Sequence, residues 1–156
     1  MLELSNLDLD EIATALADQG GFEHCWLIDP TTGVVGFWTA DTGIDGQTPV
    51  DLDEVDMICI DPQPSYVWYR DMVDFVEGIS DERAARSLAL AIEGRGAFRR
   101  FKDRLHVDFP HLLPAWNAFR DARAIRRAVD WLVDNSLVDA QDATSFLTGH
   151  PDPVLP

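Results

Sequence analysis

The chain has 156 residues, of which 46% are apolar, and it carries a formal net charge of −16 at pH 7. This length favours one compact domain, or two small lobes that share a core. The sequence has no apolar run of about 18 residues and no basic, then apolar, N-terminal segment, so we expect no membrane span and no secretory signal. We therefore predict a cytoplasmic protein. The charge disfavours nucleic-acid binding unless a local basic face overcomes it.

The charge is unevenly distributed along the chain. Residues 1–69 contain 14 acidic residues and no Lys or Arg, residues 70–127 contain all 12 basic residues and nine acidic ones, and residues 128–156 contain five acidic residues. Such asymmetry indicates either a surface that faces a polyanion or two halves that neutralise each other. Asp accounts for 21 of the 28 acidic residues. Salt adaptation and a GC-rich genome both explain that bias.

The first part of the chain predicts a helix followed by three strands. Apolar residues at helical spacing indicate a helix over residues 7–17, capped by Asn6 and ended by Gly20 and Gly21. Strands are expected at residues 22–29, 34–40 and 55–60, with a Pro-Thr-Thr-Gly turn between the first two, and an antiparallel meander is the simplest arrangement. Cys25 and Cys59 lie in two of these strands. We expect two reduced, inert core thiols.

The second part of the chain predicts helices. Ser65 is expected to cap a helix that runs to about residue 79, and Ser80 caps the next one, which buries Leu88, Ala91 and Ile92. Helices are also predicted over residues 97–106 and 115–134, and the proline-rich tail, residues 149–156, is expected to fray. The predicted fold is α+β: an N-terminal helix, a small antiparallel β-meander and a C-terminal bundle of about four helices. It forms a single domain over residues 1–148, with an acidic helix-plus-sheet part (1–62) and a helical part (63–148).

Several fragments together resemble a known bacterial family. They read LIDPTTGVV at residues 27–35, DMVDFV at residues 71–76 and LAIEGRGAFRRFKDRL at residues 90–105, and Trp116, Phe119, Trp131 and Leu132 follow. The chain resembles uncharacterised protein family 0158 over roughly residues 9–133, and the glycine-flanked AFRRFKD block is the most specific part. The resemblance implies a shared fold, and it supplies no catalytic residue and no activity.

The segment GRGAFRRFKDRL places five of the 12 basic residues between positions 95 and 104. On a helix, Phe98, Phe101 and Leu105 share one face, which is expected to be core. A second stripe, about 100° away, contains Arg95, Arg99, Lys102 and His106. In the last long helix, Trp116 is followed at helical spacing by further Arg residues. The predicted anion- or partner-binding residues are Arg95, Arg99, Lys102, Arg120, Arg123 and Arg127.

Two ordinary interpretations compete with this site. The basic residues, Arg95, Arg99 and Arg123 among them, would neutralise acidic residues of the sheet part, or the stripes would be solvated helix faces. We interpret the chain as a non-enzymatic interaction or regulatory module. It either binds an anionic partner through the basic helical stripe or presents its acidic half to a basic partner. We expect no cofactor and no metal site, and the partner is unknown.

Two alternatives use the acidic half of the chain instead. A hydrolase-type enzyme would draw on carboxylates such as Asp51, Asp53, Glu54 and Asp56, although abundant acidic residues fall near one another by chance. A DNA-mimicking inhibitor would present the carboxylates of residues 1–69 to a basic groove of another protein. Solubility or salt adaptation explains the same acidity without any partner.

Overall fold

The structure is a computed structural model, and it describes residues 1–18 and 24–156. Within these residues, six α-helices and three β-strands form. In chain order they are α1 (Leu9–Ala17), β1 (His24–Ile28), β2 (Val35–Thr39), β3 (Ile58–Ile60), α2 (Ser65–Gly78), α3 (Glu82–Ala91), α4 (Ala97–Asp108), α5 (Leu113–Asp134) and α6 (Ala140–Gly149). The predicted α+β architecture is confirmed. Among the described residues, no helix is both long enough and apolar enough to cross a membrane. The predicted helix stop at Gly20 and Gly21 and the first two residues of the predicted first strand lie outside the described ranges.

The three strands form one antiparallel sheet in the order β2-β1-β3. The antiparallel pairing is confirmed, but the predicted meander order is wrong because β3 pairs with β1 and not with β2. In register, Trp26 faces Phe37 on one side and Ile60 on the other. The segment between β2 and β3 is long enough to carry β3 to the far edge of β1. This order makes β1 the central strand, and its Leu27 and Ile28 are buried.

A disulfide joins Cys25 of β1 to Cys59 of β3. The expectation of two reduced thiols is therefore wrong. Cys59 lies opposite Leu27 in the antiparallel register, so Cys25 is its diagonal neighbour. The two Cα atoms are 6.5 Å apart, which is within the range that a disulfide spans. The two sulfur atoms come together because β3 pairs with β1, an order that differs from the predicted meander.

The chain divides into two compact units. The first, which we call the acidic unit, comprises residues 1–63 and 124–149. It holds 18 acidic and two basic residues. In its described part, the buried side chains of the core are aliphatic. Among them are Ile12 and Leu16 of α1, Ile28 and Ile60 of the sheet, and Val129 and Leu132 of α5.

The second unit, which we call the aromatic unit, comprises residues 64–123 and 150–156. Phe75 lies at the centre of its core, with ring centroids of Phe101, Trp116 and Phe119 at 6.3, 5.2 and 5.8 Å. The C-terminal residues pack on this unit, because Leu155 joins the core and the Ser80 backbone N–H donates to the Pro156 carbonyl at 2.8 Å. The expectation that the proline-rich tail frays is wrong.

Helix ends differ from the sequence expectation in several places. Asp8 caps α1 and Asp81 caps α3 through their carboxylates, in place of Asn6 and Ser80. At α2 the capping position is Pro64, which makes no side-chain capping bond, so Ser65 is not the cap. Helix α6 was not predicted. It follows Asp139, whose carboxylate accepts hydrogen bonds from the backbone N–H groups of Gln141 and Asp142.

Candidate functional site

The loop between α3 and α4 contains two glycines in the left-handed region. Gly94 has a φ of +72° and Gly96 a φ of +75°, a conformation that residues with a Cβ adopt only at a cost. A Cβ at Gly94 would meet no atom within 4 Å, so conformation and not crowding explains this glycine. Gly96 is the residue before α4. Arg95 therefore lies in the loop between the two glycines and not on the helix.

Arg100 holds this loop in place. Its Nε donates to the carbonyl of Ala91 at 2.9 Å, and its two terminal nitrogens donate to the carbonyls of Arg95 and Glu93. One planar guanidinium thus binds three carbonyls at the end of α3 and in the loop. Because the Arg95 carbonyl is one of the three, the backbone that carries the Arg95 side chain is fixed. The helical spacing of the basic residues does not predict this role of Arg100.

Helix α4 divides its basic residues between two flanks. Phe101 and Leu105 are buried in the core of the aromatic unit. On one flank, Arg104 donates to the Ser87 hydroxyl at 2.7 Å, on the same side as Arg100. On the other flank, the cationic side chains are exposed. We give the name basic face to the exposed Arg99 and Lys102 of this flank together with the exposed Arg95 of the preceding loop; His106 follows one turn further along α4.

Acidic side chains form few and weak ion pairs with the basic face. Arg99 is 90% exposed, and its Nε lies 3.9 Å from the Asp103 carboxylate on the same helix. Within the described ranges, no ion pair involves Arg95 or Lys102. The predicted pairing of Arg95, Arg99 and Arg123 with acidic residues of the sheet part is not found there. The basic face is consequently open to solvent.

An aromatic pocket lies beside the basic face. It has a volume of about 310 Å³, and Tyr66, Tyr69, Gly94, Gly96 and Phe98 contribute to its lining. The hydroxyl of Tyr69 donates to the Ile92 carbonyl at 3.0 Å, which fixes that ring. Tyr66 and Phe98 are 72% and 45% exposed. The prediction that Phe98 belongs to the core is wrong, because α4 buries Phe101 and Leu105 and leaves Phe98 at the edge of that face.

The residues of the second predicted stripe have different surroundings. Trp116 packs into the aromatic core, with its ring 4.8 Å from that of Phe101. Arg120 is exposed and lies 3.5 Å from the neighbouring Asp121. Arg127 belongs to the acidic unit, whereas Arg120 and Arg123 belong to the aromatic unit. Arg99 and Lys102 of the predicted site are thus exposed one helical turn apart on α4, whereas the α5 residues Trp116 and Arg123 take part in packing and ion pairs of the aromatic unit.

Arg123 is surrounded by three carboxylates of its own unit. It donates to Asp74 at 2.9 Å and to Asp152 at 3.0 Å, and it lies 3.8 Å from the buried Asp71. Its guanidinium also lies over the Phe119 ring at 4.7 Å, in the range of a cation–π contact. Partial burial opposes the charged form, but the Asp74 hydrogen bond and the three negative charges outweigh it and raise the pKa of Arg123. Arg123 is thus part of the fold of the aromatic unit.

Carboxylates of the acidic unit line a separate cavity. It has a volume of about 550 Å³, and Trp38, Asp51, Asp53 and Glu54 are among its lining residues. Asp56, which the hydrolase alternative also named, is not part of the lining. All three lining carboxylates are on exposed residues. Across the described residues, no group of three or more His, Cys, Asp or Glu side chains is placed to hold a metal ion.

His24, which lines another cavity of about 500 Å³, is in hydrogen-bond contact with Asp18. His24 Nε2 lies 2.9 Å from Asp18 Oδ2, and Trp26 Nε1 donates to the same oxygen at 2.8 Å. The Phe37 ring stacks on the imidazole at 5.0 Å. A carboxylate that orients an imidazole is one part of a nucleophilic site. In the described ranges, however, no hydrogen bond joins His24 to a Ser, Thr or Cys side chain.

Comparison with known proteins identifies the family of this chain. The family model described as "Uncharacterised protein family (UPF0158)" matches residues 3–149. The UPF0158 protein PA5073 of Pseudomonas aeruginosa is 32% identical over 146 residues, which cover 90% of this chain and 92% of the relative. No solved structure matches the chain. The match includes the α3–α4 loop and all of α4, and the chain belongs to the uncharacterised protein family UPF0158.

Proposed function

We propose that this protein is a binding module that contacts an anionic partner through the basic face of α4. One observation carries the proposal: Arg99 and Lys102 are exposed one helical turn apart on α4, Arg95 is exposed in the loop before it, and acidic side chains contact these three residues weakly or not at all. Arg side chains bind phosphate and carboxylate groups in bidentate geometry. A solvent-facing cluster of this kind is what an anionic partner requires.

The loop geometry supports the same proposal. Arg100 donates to the carbonyl of Arg95 and to two further carbonyls of the loop region. A binding group on a fixed backbone loses less conformational freedom when it binds, so preorganisation favours affinity. The carbonyl contacts also hold the charge of Arg100 against the loop, which leaves Arg95, Arg99 and Lys102 to meet the partner.

The net charge does not oppose binding at this face. By side-chain count the aromatic unit holds ten basic and ten acidic residues, so the net charge of −16 belongs to the acidic unit. Exposed charges further apart than about 10 Å are largely screened at 0.1 M salt. The immediate surroundings of the basic face therefore decide the electrostatic attraction there.

The proposal is tested by binding of a short inorganic polyphosphate chain to the wild type and to Arg95→Gln/Arg99→Gln/Lys102→Gln. Gln is used because the stems of Arg and Lys also pack. The matched control is Arg70→Gln/Arg83→Gln/Arg86→Gln, which removes three exposed cations from α2 and α3. We expect salt-dependent binding by the wild type and the control, and at least a tenfold loss, about 1.4 kcal/mol, in the α4 variant.

Thermal midpoints at low and high salt accompany the binding assay. We expect the α4 variant to keep its midpoint or to gain slightly, because its charges face solvent and have few partners. A midpoint that falls at low salt and recovers at high salt would mean that the basic face neutralises other parts of the fold. Equal polyphosphate binding by the wild type and the α4 variant, or no binding at all, would contradict the proposed function.

A further inference from the structure

We infer that the anionic partner is a single-stranded nucleic acid and that one of its bases enters the aromatic pocket while the neighbouring phosphates contact the basic face. This inference rests on the proposed function and names the ligand class of the same surface. It uses two observations that the charge alone does not explain. They are the exposure of Tyr66 and Phe98 and the open pocket between them.

The pocket has the size and the walls that a flat ring requires. Its volume of about 310 Å³ is at the lower end of small-molecule pockets. Tyr69 forms a fixed wall through its hydrogen bond to the Ile92 carbonyl. Tyr66 and Phe98, which are 72% and 45% exposed, contribute two further aromatic rings to the lining. Bases stack on such rings with little dependence on sequence, because every base has a π face.

The cations adjoin the pocket through the chain itself. Arg95 lies between Gly94 and Gly96, both of which line the pocket. Arg99 follows Phe98 directly, and Lys102 lies one helical turn beyond Phe98 on the same side of α4. A base held at Phe98 would therefore have its phosphates within reach of these side chains. Alternation of aromatic and cationic groups along one surface is how proteins bind single strands.

Two other anionic partners fit these observations less well. In a duplex the base faces are stacked and covered, so Tyr66 and Phe98 would have no ring to contact unless a base were extruded at a cost of a few kcal/mol. An acidic peptide satisfies the cations, but it supplies a flat ring only where an aromatic residue happens to lie beside its acidic residues, whereas every nucleotide carries both groups. Single-stranded nucleic acid supplies phosphates for the cations of the basic face and accessible bases for the aromatic pocket.

The test compares three fluorescently labelled ligands at 0.1 M salt: a single-stranded oligodeoxyadenylate, an abasic strand of the same length and a DNA duplex. The abasic strand keeps the phosphates and removes the bases. We expect the wild type to bind the oligodeoxyadenylate about tenfold or more tighter than the abasic strand, and the duplex no tighter than the abasic strand. Phe98→Leu keeps an apolar side chain and removes the ring. It should abolish the preference for bases and leave binding of the abasic strand unchanged.

The outcomes separate this inference from the proposed function. If the α4 triple variant loses both single strands and Phe98→Leu loses only the base preference, both proposals hold. If the wild type binds the oligodeoxyadenylate and the abasic strand equally, or if Phe98→Leu keeps the full preference, the nucleic-acid inference is overturned, while loss of polyphosphate binding in the triple variant still supports an anionic partner. Tighter binding of the duplex would also overturn it. The control Arg70→Gln/Arg83→Gln/Arg86→Gln, which changes no residue of the pocket or the basic face, should bind all three ligands as the wild type does.

Discussion

The acidic unit holds 18 acidic and two basic residues, whereas the aromatic unit holds ten of each. Their cores differ as well, since the buried core residues described for the first are aliphatic and those of the second include Phe75, Phe101 and Phe119. The first also contains the disulfide. The comparison teaches that net charge is a poor guide to the surface of this chain. The excess negative charge, which disfavours nucleic-acid binding, lies in the acidic unit. The aromatic unit, which carries the basic face, has no such excess.

The largest expected effect tests whether the aromatic unit depends on its ring cluster. Phe75 is fully buried and contacts Phe101, Trp116 and Phe119. Phe75→Ala should lower the free energy of unfolding by about 3–5 kcal/mol, through lost apolar contacts and the cavity left behind. Urea denaturation gives the total, and hydrogen exchange should show the loss first in peptides from residues 64–123.

Phe98→Ala is the matched control for Phe75→Ala. Both variants replace a phenylalanine by alanine, but Phe98 on α4 is 45% exposed. Phe98→Ala should therefore lower the free energy of unfolding by about 1 kcal/mol or less. Similar losses for the two variants would show that the ring cluster is not the centre of this core. Protection lost equally across both units would show that they unfold as one cooperative structure.

The disulfide is the corresponding test of the acidic unit. It joins residues 34 positions apart, across β1 and β3. Cys25→Ala/Cys59→Ala should lower the free energy of unfolding by about 2–4 kcal/mol, because closure of a loop of this length restricts the unfolded chain. The measurement is urea denaturation with and without a reducing agent. Reduction should shift the wild type toward the double variant and leave the double variant unchanged; a wild type insensitive to reduction would contradict the prediction.

The Arg123 cluster tests whether charges inside the aromatic unit are paired for stability. Arg123→Gln leaves the buried Asp71 and the partly buried Asp74 and Asp152 without their shared cation. The expected loss is about 2 kcal/mol, less than for a fully buried pair because solvent reaches the guanidinium. Arg120→Gln, at an exposed pair with Asp121, should change stability by less than about 0.5 kcal/mol. Equal effects of the two variants would show that Arg123 makes no special contribution.

Local patterns in the sequence predicted most elements and failed where distant segments decide the outcome. The helical spacing of apolar residues predicted α2, α3, α4 and α5, and runs of β-branched and aromatic residues predicted the strands. The strand order depends on which edge of β1 the segment after β2 reaches, and no local pattern encodes that choice. The disulfide follows from the same choice. The tail is held by contacts of Leu155, Pro156 and Asp152 with distant parts of the aromatic unit, and the composition of a proline-rich segment does not predict such contacts.

The candidate site was partly predictable for similar reasons. The spacing of Arg99, Lys102 and His106 on α4 predicted their common face, and the structure places them there. The exposure of Phe98 was not predictable, because it shares the helical face of Phe101 and Leu105 and only packing against neighbouring helices shows where the core ends. Residue type does not distinguish Arg100 from Arg99, because both are arginines of the same basic segment. The role of Arg100 depends on three carbonyls that the glycine loop turns toward it.

The smallest expected effect compares one carboxylate in each unit. Burial and the like charge of Asp134 raise the pKa of Asp130 on α5, against the opposing effect of Arg126. A raised pKa in the folded state means that the ionised carboxylate costs stability at neutral pH. Asp130→Asn should therefore stabilise the protein at pH 7, by about 0.5 kcal/mol or less because the residue is exposed.

Its counterpart in the aromatic unit is Asp121→Asn, which removes the partner of Arg120 and should be neutral or slightly destabilising. The gain from Asp130→Asn should shrink as the pH falls through the folded pKa of Asp130, because the wild-type carboxyl then becomes neutral as well; it should vanish below the unfolded value of 3.8. Thermal midpoints of both variants between pH 7 and pH 4 measure this. If both variants stabilise the protein equally, removal of any acidic residue relieves a repulsion shared by the whole chain, and the division of charge between the two units would have no energetic consequence.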